Sequence, residues 1–104
     1  MSVLHINQKN FEMIKNSEKT VLLDFYAEWC YPCRMTAPVV EEISELRDDV
    51  FFGKVNVDDE PELARAFKVE SIPMLAFVKN NTFLDLSVGY VPKANIVKLI
   101  EEYK

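Results

Sequence analysis

The chain switches between short runs in which almost every residue is apolar and longer stretches in which apolar residues recur every three or four positions. Val3–Ile6 predicts a short strand, and Asn7 is placed to cap a helix carrying Phe11 and Ile14 on one face. Thr20–Ala27 contains VLLDFYA, a near-continuous apolar run of the kind found in strands buried on both faces. From Cys33 to Arg47, Val39, Val40, Ile43 and Leu46 fall at helical spacing, with Glu41, Glu42 and Glu45 directed outward. Val50–Val57 is a second β-branched and aromatic strand. Asp58–Asp59–Glu60–Pro61 supplies the acidic and proline start signals of a short helix ending near Phe67. Met74–Lys79 and Thr82–Val88 read as two strands joined through Asn80–Asn81, whose residues tolerate left-handed turns. A last helix, about Pro92–Tyr103, packs through Ile96, Ile100 and Tyr103.

The predicted order is βαβαβαββα. Alternating strands and helices imply an α/β fold: a central mixed sheet with helices on both faces, to which the last hairpin adds an antiparallel edge. No internal repeat, low-complexity tract or linker interrupts the chain, so one domain over residues 1–104 is expected. A chain of 104 residues buries about two-thirds of its unfolded surface, enough for one core without staples.

Composition narrows the function. Hydrophobic residues make up 49% and charged residues 28%, as in an ordinary globular domain. Twelve Lys+Arg against seventeen Asp+Glu leave a net charge of −5, which argues against a nucleic-acid backbone as partner. Two glycines exclude a Gly-rich phosphate loop. The longest apolar run, Ile72–Val78, is far too short to span a membrane, and the first residues show neither a basic leader nor an apolar signal segment. A cytoplasmic monomer is the expectation.

The two cysteines, Cys30 and Cys33, decide the rest. A bond between them closes only a tiny loop and cannot staple distant parts of a fold. A closed zinc site needs four ligands, and His5 alone would remain, so no metal is expected. The pair therefore points to chemistry. It sits where a buried strand hands over to a helix, so unpaired backbone N–H groups and the positive end of the helix dipole aim at the sulfur of Cys30. Both favour a thiolate, and Arg34 adds a nearby positive charge. Cys33 lies one turn further along the same face, within disulfide reach. Pro32 fits the first helical turn, where its missing N–H costs nothing. Cys30 is thus placed to attack a disulfide, and Cys33 to resolve the resulting mixed disulfide.

Asp24 is the one charge inside VLLDFYA. Buried there, it either ionises at a cost of several kcal/mol or takes up a proton, and a proton acceptor poised near neutrality could deprotonate Cys33. At an exposed strand end it would do neither. Trp29 either shields the dithiol and offers substrates an apolar contact, or is an ordinary core residue.

Trp29–Cys30–x–Pro32–Cys33–Arg34–Met35 following Val21–Leu22–Leu23–Asp24–Phe25–Tyr26–Ala27 resembles the thioredoxin family. Pro38, Lys54–Val55–Asn56–Val57–Asp58, Ser71–Ile72–Pro73 and Val88–Gly89 extend the likeness over essentially the whole chain. The resemblance implies the thioredoxin fold and a protein-disulfide reductase with no bound cofactor. Its electrons would come from a thioredoxin reductase, most often an NADPH-dependent flavoenzyme, and go to disulfide-containing proteins. It pairs Asp24 with Lys54, which could otherwise be a solvated strand lysine. It makes Pro73 a cis proline facing the dithiol, against the trans form that is the default for an X–Pro bond. It gives Ile72 a backbone that pairs with an extended substrate segment. It also lets Gly89 allow close approach of a partner, where the residue itself reads equally well as a strand end.

The chain departs from that family at several points. Tyr31 replaces the usual glycine between the cysteines, where it tunes the dithiol and either narrows the substrate groove or offers it a stacking surface. Tyr26 stands for a frequent tryptophan and Met74 for a threonine, while Lys68, Ser71 and Asn81 replace glycines. Retention of Pro32 favours the reducing end of the potentials these proteins span. Two other readings use the same residues: an oxidant or isomerase of the same fold, and a binding module that grips partners near Ile72–Pro73.

Overall fold

The run Thr20–Tyr26 is apolar on both faces, and it takes the centre of the sheet as β2. In the computed structural model, which describes residues 3–104, β2 is flanked by Val50–Asn56 (β3) in parallel and by Met74–Lys79 (β4) antiparallel. Val3–His5 (β1) adds in parallel to β3, and Thr82–Val88 (β5) closes the other edge antiparallel to β4. The strand order is β1-β3-β2-β4-β5. The helices are α1 (Gln8–Ile14), α2 (Tyr31–Leu46), α3 (Pro61–Ala66) and α4 (Lys93–Tyr103). This is the predicted order and the predicted mixed sheet.

Strand alternation divides the apolar residues between two cores. Val3, Phe52, Leu22, Phe77 and Leu75 meet Val40 and Ile43 of α2 and Ile96 and Ile100 of α4. On the opposite face Val21, Leu23, Phe25, Val55 and Ala76 meet Leu63 of α3, with Phe11, Ile14 and Phe67 packed at the margin. Burying one such leucine, isoleucine or phenylalanine contributes about 1.5–3 kcal/mol. Gly53 lies on the second face. A Cβ there would come within 2.6 Å of Ile6 Cγ1, so the close seating of Ile6 on the sheet requires a glycine.

Registered residues form rows across the sheet. Val3, Phe52, Leu22 and Phe77 make one row; two residues along, on the same face, the next reads His5, Lys54, Asp24, Leu75. The alternation that builds an apolar row thus sets a charged one beside it, beneath the start of α2.

Local signals account for the element ends. Asn7 and Asn10 form a reciprocal capping box at 2.8 Å. The Asn80–Asn81 hairpin has both residues at positive φ, 52° and 61°. Lys68, also at positive φ (54°), ends α3: its N–H donates to Arg65 O at 3.0 Å, and the Val69 N–H reaches Ala64 O at 2.9 Å. That is the helix ending normally given to glycine. Helix α2 begins at Tyr31 with Cys30 as its N-cap and Pro32 within the first turn, as the junction at Cys30 implied. One detail of α2, the exposure of Leu46, differs from expectation. Leu46 is 70% exposed, because the buried stripe runs through Cys33, Thr36, Val40 and Ile43 to Ser44. Four residues after Val40, Ser44 keeps the stripe aligned, its hydroxyl donating to Glu41 O at 2.7 Å.

Candidate active site

Cys30 is the N-cap of α2, with extended backbone (φ −92°, ψ 110°), and its sulfur accepts the Cys33 backbone N–H at 3.3 Å. Cys30 and Cys33 are joined as a disulfide with Cα atoms 5.3 Å apart, and both are buried. That N–H and the free end of the helix lie against Cys30 Sγ, surroundings of the kind that stabilise a thiolate. Among the described residues, no group of three or more His, Cys, Asp or Glu is arranged to hold a metal ion.

Apolar side chains ring the buried sulfurs. Trp29 and Tyr31 are 68% and 69% exposed, so Trp29 is no core residue. Its indole Nε1–H donates to Asp58 Oδ2 at 2.9 Å, which fixes the ring over the start of α2. Asp58 read in the sequence as a helix-start residue; only the fold brings it to Trp29. Across the pair, the Ile72–Pro73 peptide is cis. The Ile72 carbonyl oxygen is 3.8 Å from Cys30 Sγ, and its side chain packs on Ala27, Cys30 and Cys33. Gly89, directly after the last residue of β5, has φ 88° and donates its N–H to Pro73 O at 2.7 Å, which ties it to the residue that follows Ile72. The Arg34 guanidinium turns back to the Glu28 carbonyl, with Nε at 3.2 Å and Nη2 at 3.0 Å, and clamps the loop that precedes the dithiol.

Behind Cys33 opens a cleft of about 310 Å³ lined by Asp24, Lys54, Tyr26 and His5, among others. Asp24 is 3% exposed, and its Oδ1 has no hydrogen-bond partner among the described residues. Burial raises its pKa to about 7, an effect that the Lys54 ammonium partly offsets. The carboxyl is therefore half protonated near neutrality and shares a cavity with the resolving cysteine. Lys54, half-buried on the adjoining strand, is its registered neighbour. Burial also pushes the Tyr26 phenol up, Glu28 adding to the effect. The fold so brings Cys30, Cys33, Pro32, Trp29, Tyr31, Ile72, Pro73 and Gly89 to one surface, with Asp24 and Lys54 behind it.

The thioredoxin family model matches residues 2–102. A thioredoxin of Haemophilus influenzae is 42% identical over 103 residues, covering 97% of this chain and 96% of that protein. A thioredoxin of Synechocystis is 43% identical over 93 residues, 88% of this chain and 87% of the other. Among solved structures, the Malassezia sympodialis thioredoxin superposes with a TM-score of 0.91 at 33% identity, over 98% of this chain and 90% of that one. Between Cys30 and Cys33 the chain carries Tyr31–Pro32.

Proposed function

The chain belongs to the thioredoxin family, and we propose that it acts as a single domain that reduces protein disulfides, with each site residue in a defined role. Reduced Cys30, as thiolate, attacks one sulfur of a substrate disulfide. A Cys30–substrate disulfide forms, and the other substrate sulfur leaves as a thiolate that takes up a proton. Asp24 then accepts the Cys33 proton through the cleft, and the Cys33 thiolate attacks Cys30 Sγ. The Cys30–Cys33 disulfide forms while the second substrate sulfur departs and is protonated. Two electrons pass to the substrate and none remain on the protein.

The remaining residues serve those steps. Lys54 tempers the charge on Asp24. Trp29 and Tyr31 form the apolar wall against which a substrate segment packs. Ile72, Pro73 and Gly89 offer the backbone to which it pairs as an added strand. Pro32 holds the first turn of α2. No cofactor need be bound, because the dithiol itself carries the electrons. A thioredoxin reductase restores it, an NADPH-dependent flavoenzyme being the usual family partner. The reaction needs a reducing compartment, in keeping with a cytoplasmic monomer.

One observation carries this reading: Cys30 Sγ sits at the head of α2 accepting the Cys33 N–H, with an Asp24-lined cleft behind its partner. Equilibration of the protein against glutathione tests the direction of transfer. A potential near about −270 mV is expected; one at or above about −180 mV would make the protein an oxidant or isomerase.

A further inference from the structure

The charged row beneath α2 does not stop at Lys54. Its next member is His5, registered directly beside Lys54 on β1 as Lys54 is beside Asp24. Registered residues on adjacent strands share a face. The same cleft is lined by His5, Lys54, Asp24 and Cys33. Two strand spacings put His5 and Asp24 about 10 Å apart at the backbone, with the lysine between them. His5 is exposed and Asp24 buried, so the row runs from solvent to the interior. Histidine is the side chain that ordinarily changes charge near neutrality.

We propose that His5 is a positioning residue for the resolving step: its charge state sets how strongly Lys54 and Asp24 hold each other, and so when Asp24 can take the Cys33 proton. An imidazolium repels the Lys54 ammonium toward Asp24 and itself favours the carboxylate. A neutral imidazole releases the lysine. Lys54 is free to respond, because it makes no ion pair within 4 Å among the described residues and its ammonium rides on a flexible stem.

The other charged groups around His5 are otherwise engaged or lie off the row. Within the cleft, Arg34 is held on the Glu28 carbonyl, Glu28 itself is exposed, and Tyr26 keeps its proton. One neighbouring concavity contributes Lys19, Arg47 and Asp48, with Arg47 bound to Asp49 and Glu101. Another contributes Asp59 and Glu60, the latter accepting the Gln8 N–H.

This inference rests on Asp24 serving as the base for Cys33, and the test separates the two. In the reduced protein, the Asp24 carboxyl is titrated by NMR in wild type, His5→Lys and His5→Gln. A unit charge about 10 Å from a carboxyl, at an effective dielectric between 40 and 80, moves the carboxyl's midpoint by roughly 0.3–0.6 of a pH unit. His5→Lys lowers the Asp24 midpoint by that amount. His5→Gln narrows the Asp24 curve to a single proton. The pH profile for release of a mixed disulfide shifts in His5→Lys with the Asp24 midpoint, a change that a merely structural role would not produce. Midpoints that ignore the substitutions overturn the proposal, and so does a release profile that stays fixed while the midpoints move. An Asp24→Asn release profile that keeps its limb near pH 7 refutes instead the assignment of Asp24 as base.

Discussion

Replacing Asp24 by asparagine removes the one ionisable group from the middle of the central strand, and the structure sets the size and pH dependence of the effect. The carboxyl is 3% exposed, and its pKa rises from 3.8 to about 7 on folding. That rise corresponds to roughly 4 kcal/mol between the two protonation states. Because the folded pKa is the higher one, the folded protein holds a proton between pH 4 and 7 that the unfolded chain has lost, so stability falls as pH rises through that window. The protonated carboxyl contributes its full stability below about pH 4. Above about pH 7 the buried charge costs the whole difference. The asparagine side chain cannot titrate. Relative to the variant, wild type should therefore lose about 1.4 kcal/mol of stability per pH unit from about pH 4 toward pH 7. An asparagine N–H without a partner costs about 1–3 kcal/mol, which offsets the whole curve without changing its slope. Urea unfolding of the oxidised protein at pH 4, 5, 6, 7 and 8 reads the divergence without interference from thiol titration. A difference that stays constant across this range would refute the burial of an ionisable Asp24, and so the role given to it.

Three further outcomes follow from the site and its frame. Cys33→Ser leaves the first attack intact and removes the second, so covalent adducts through Cys30 accumulate and appear by mass spectrometry under non-reducing conditions; their absence reverses the order of attack. Asp58→Ala frees the Trp29 indole, and loss of this solvent-exposed hydrogen bond, worth about 1 kcal/mol, raises KM for a protein disulfide about fivefold at unchanged kcat. An unchanged KM excludes the indole from substrate contact. Lys68→Gly relieves a positive φ at the end of α3 and stabilises the protein by about 1 kcal/mol; a loss of stability in urea unfolding contradicts that account of the cap.

The legible parts of the molecule are those written in local pattern. An apolar run such as VLLDFYA has no place but the sheet centre, and the Asn7 cap and the Asn80–Asn81 turn carry their geometry in their own side chains. The position of Cys30 at a strand-to-helix junction was legible for the same reason. Other features depend on which strands become neighbours. Lys54 beside Asp24, Asp58 under Trp29 and His5 beside Lys54 are pairs separated in sequence by 30, 29 and 49 residues, and no periodicity within a strand reveals them. Lys54 was reached only through resemblance, as was the cis form of Pro73, since Ser71–Ile72–Pro73 alone favours trans. Leu46 was misplaced because helical spacing alone does not say where along a helix the covered length ends.

The charged row shows why one alternation specifies both stability and chemistry. Leu22 and Asp24 are two residues apart, so they must share a face. A strand that commits Leu22 to the core under α2 and α4 therefore commits Asp24 to the same side. Slipping the strand by one residue would move every side chain of β2 to the other face, carrying Leu22 out of one core and Val21, Leu23 and Phe25 out of the other. The apolar residues thus hold the carboxylate in place even though its ionised form works against folding. The penalty is bounded because Asp24 lies at the end of α2 where Cys33 and the cleft begin, so a proton can reach it. Deeper in the strand, in the Leu22 row, the same carboxyl would be sealed from solvent and could not exchange protons during turnover. The role proposed for it depends on standing one row from the edge of the core: buried enough for its pKa to reach about 7, and placed where it lines the cleft with Cys33.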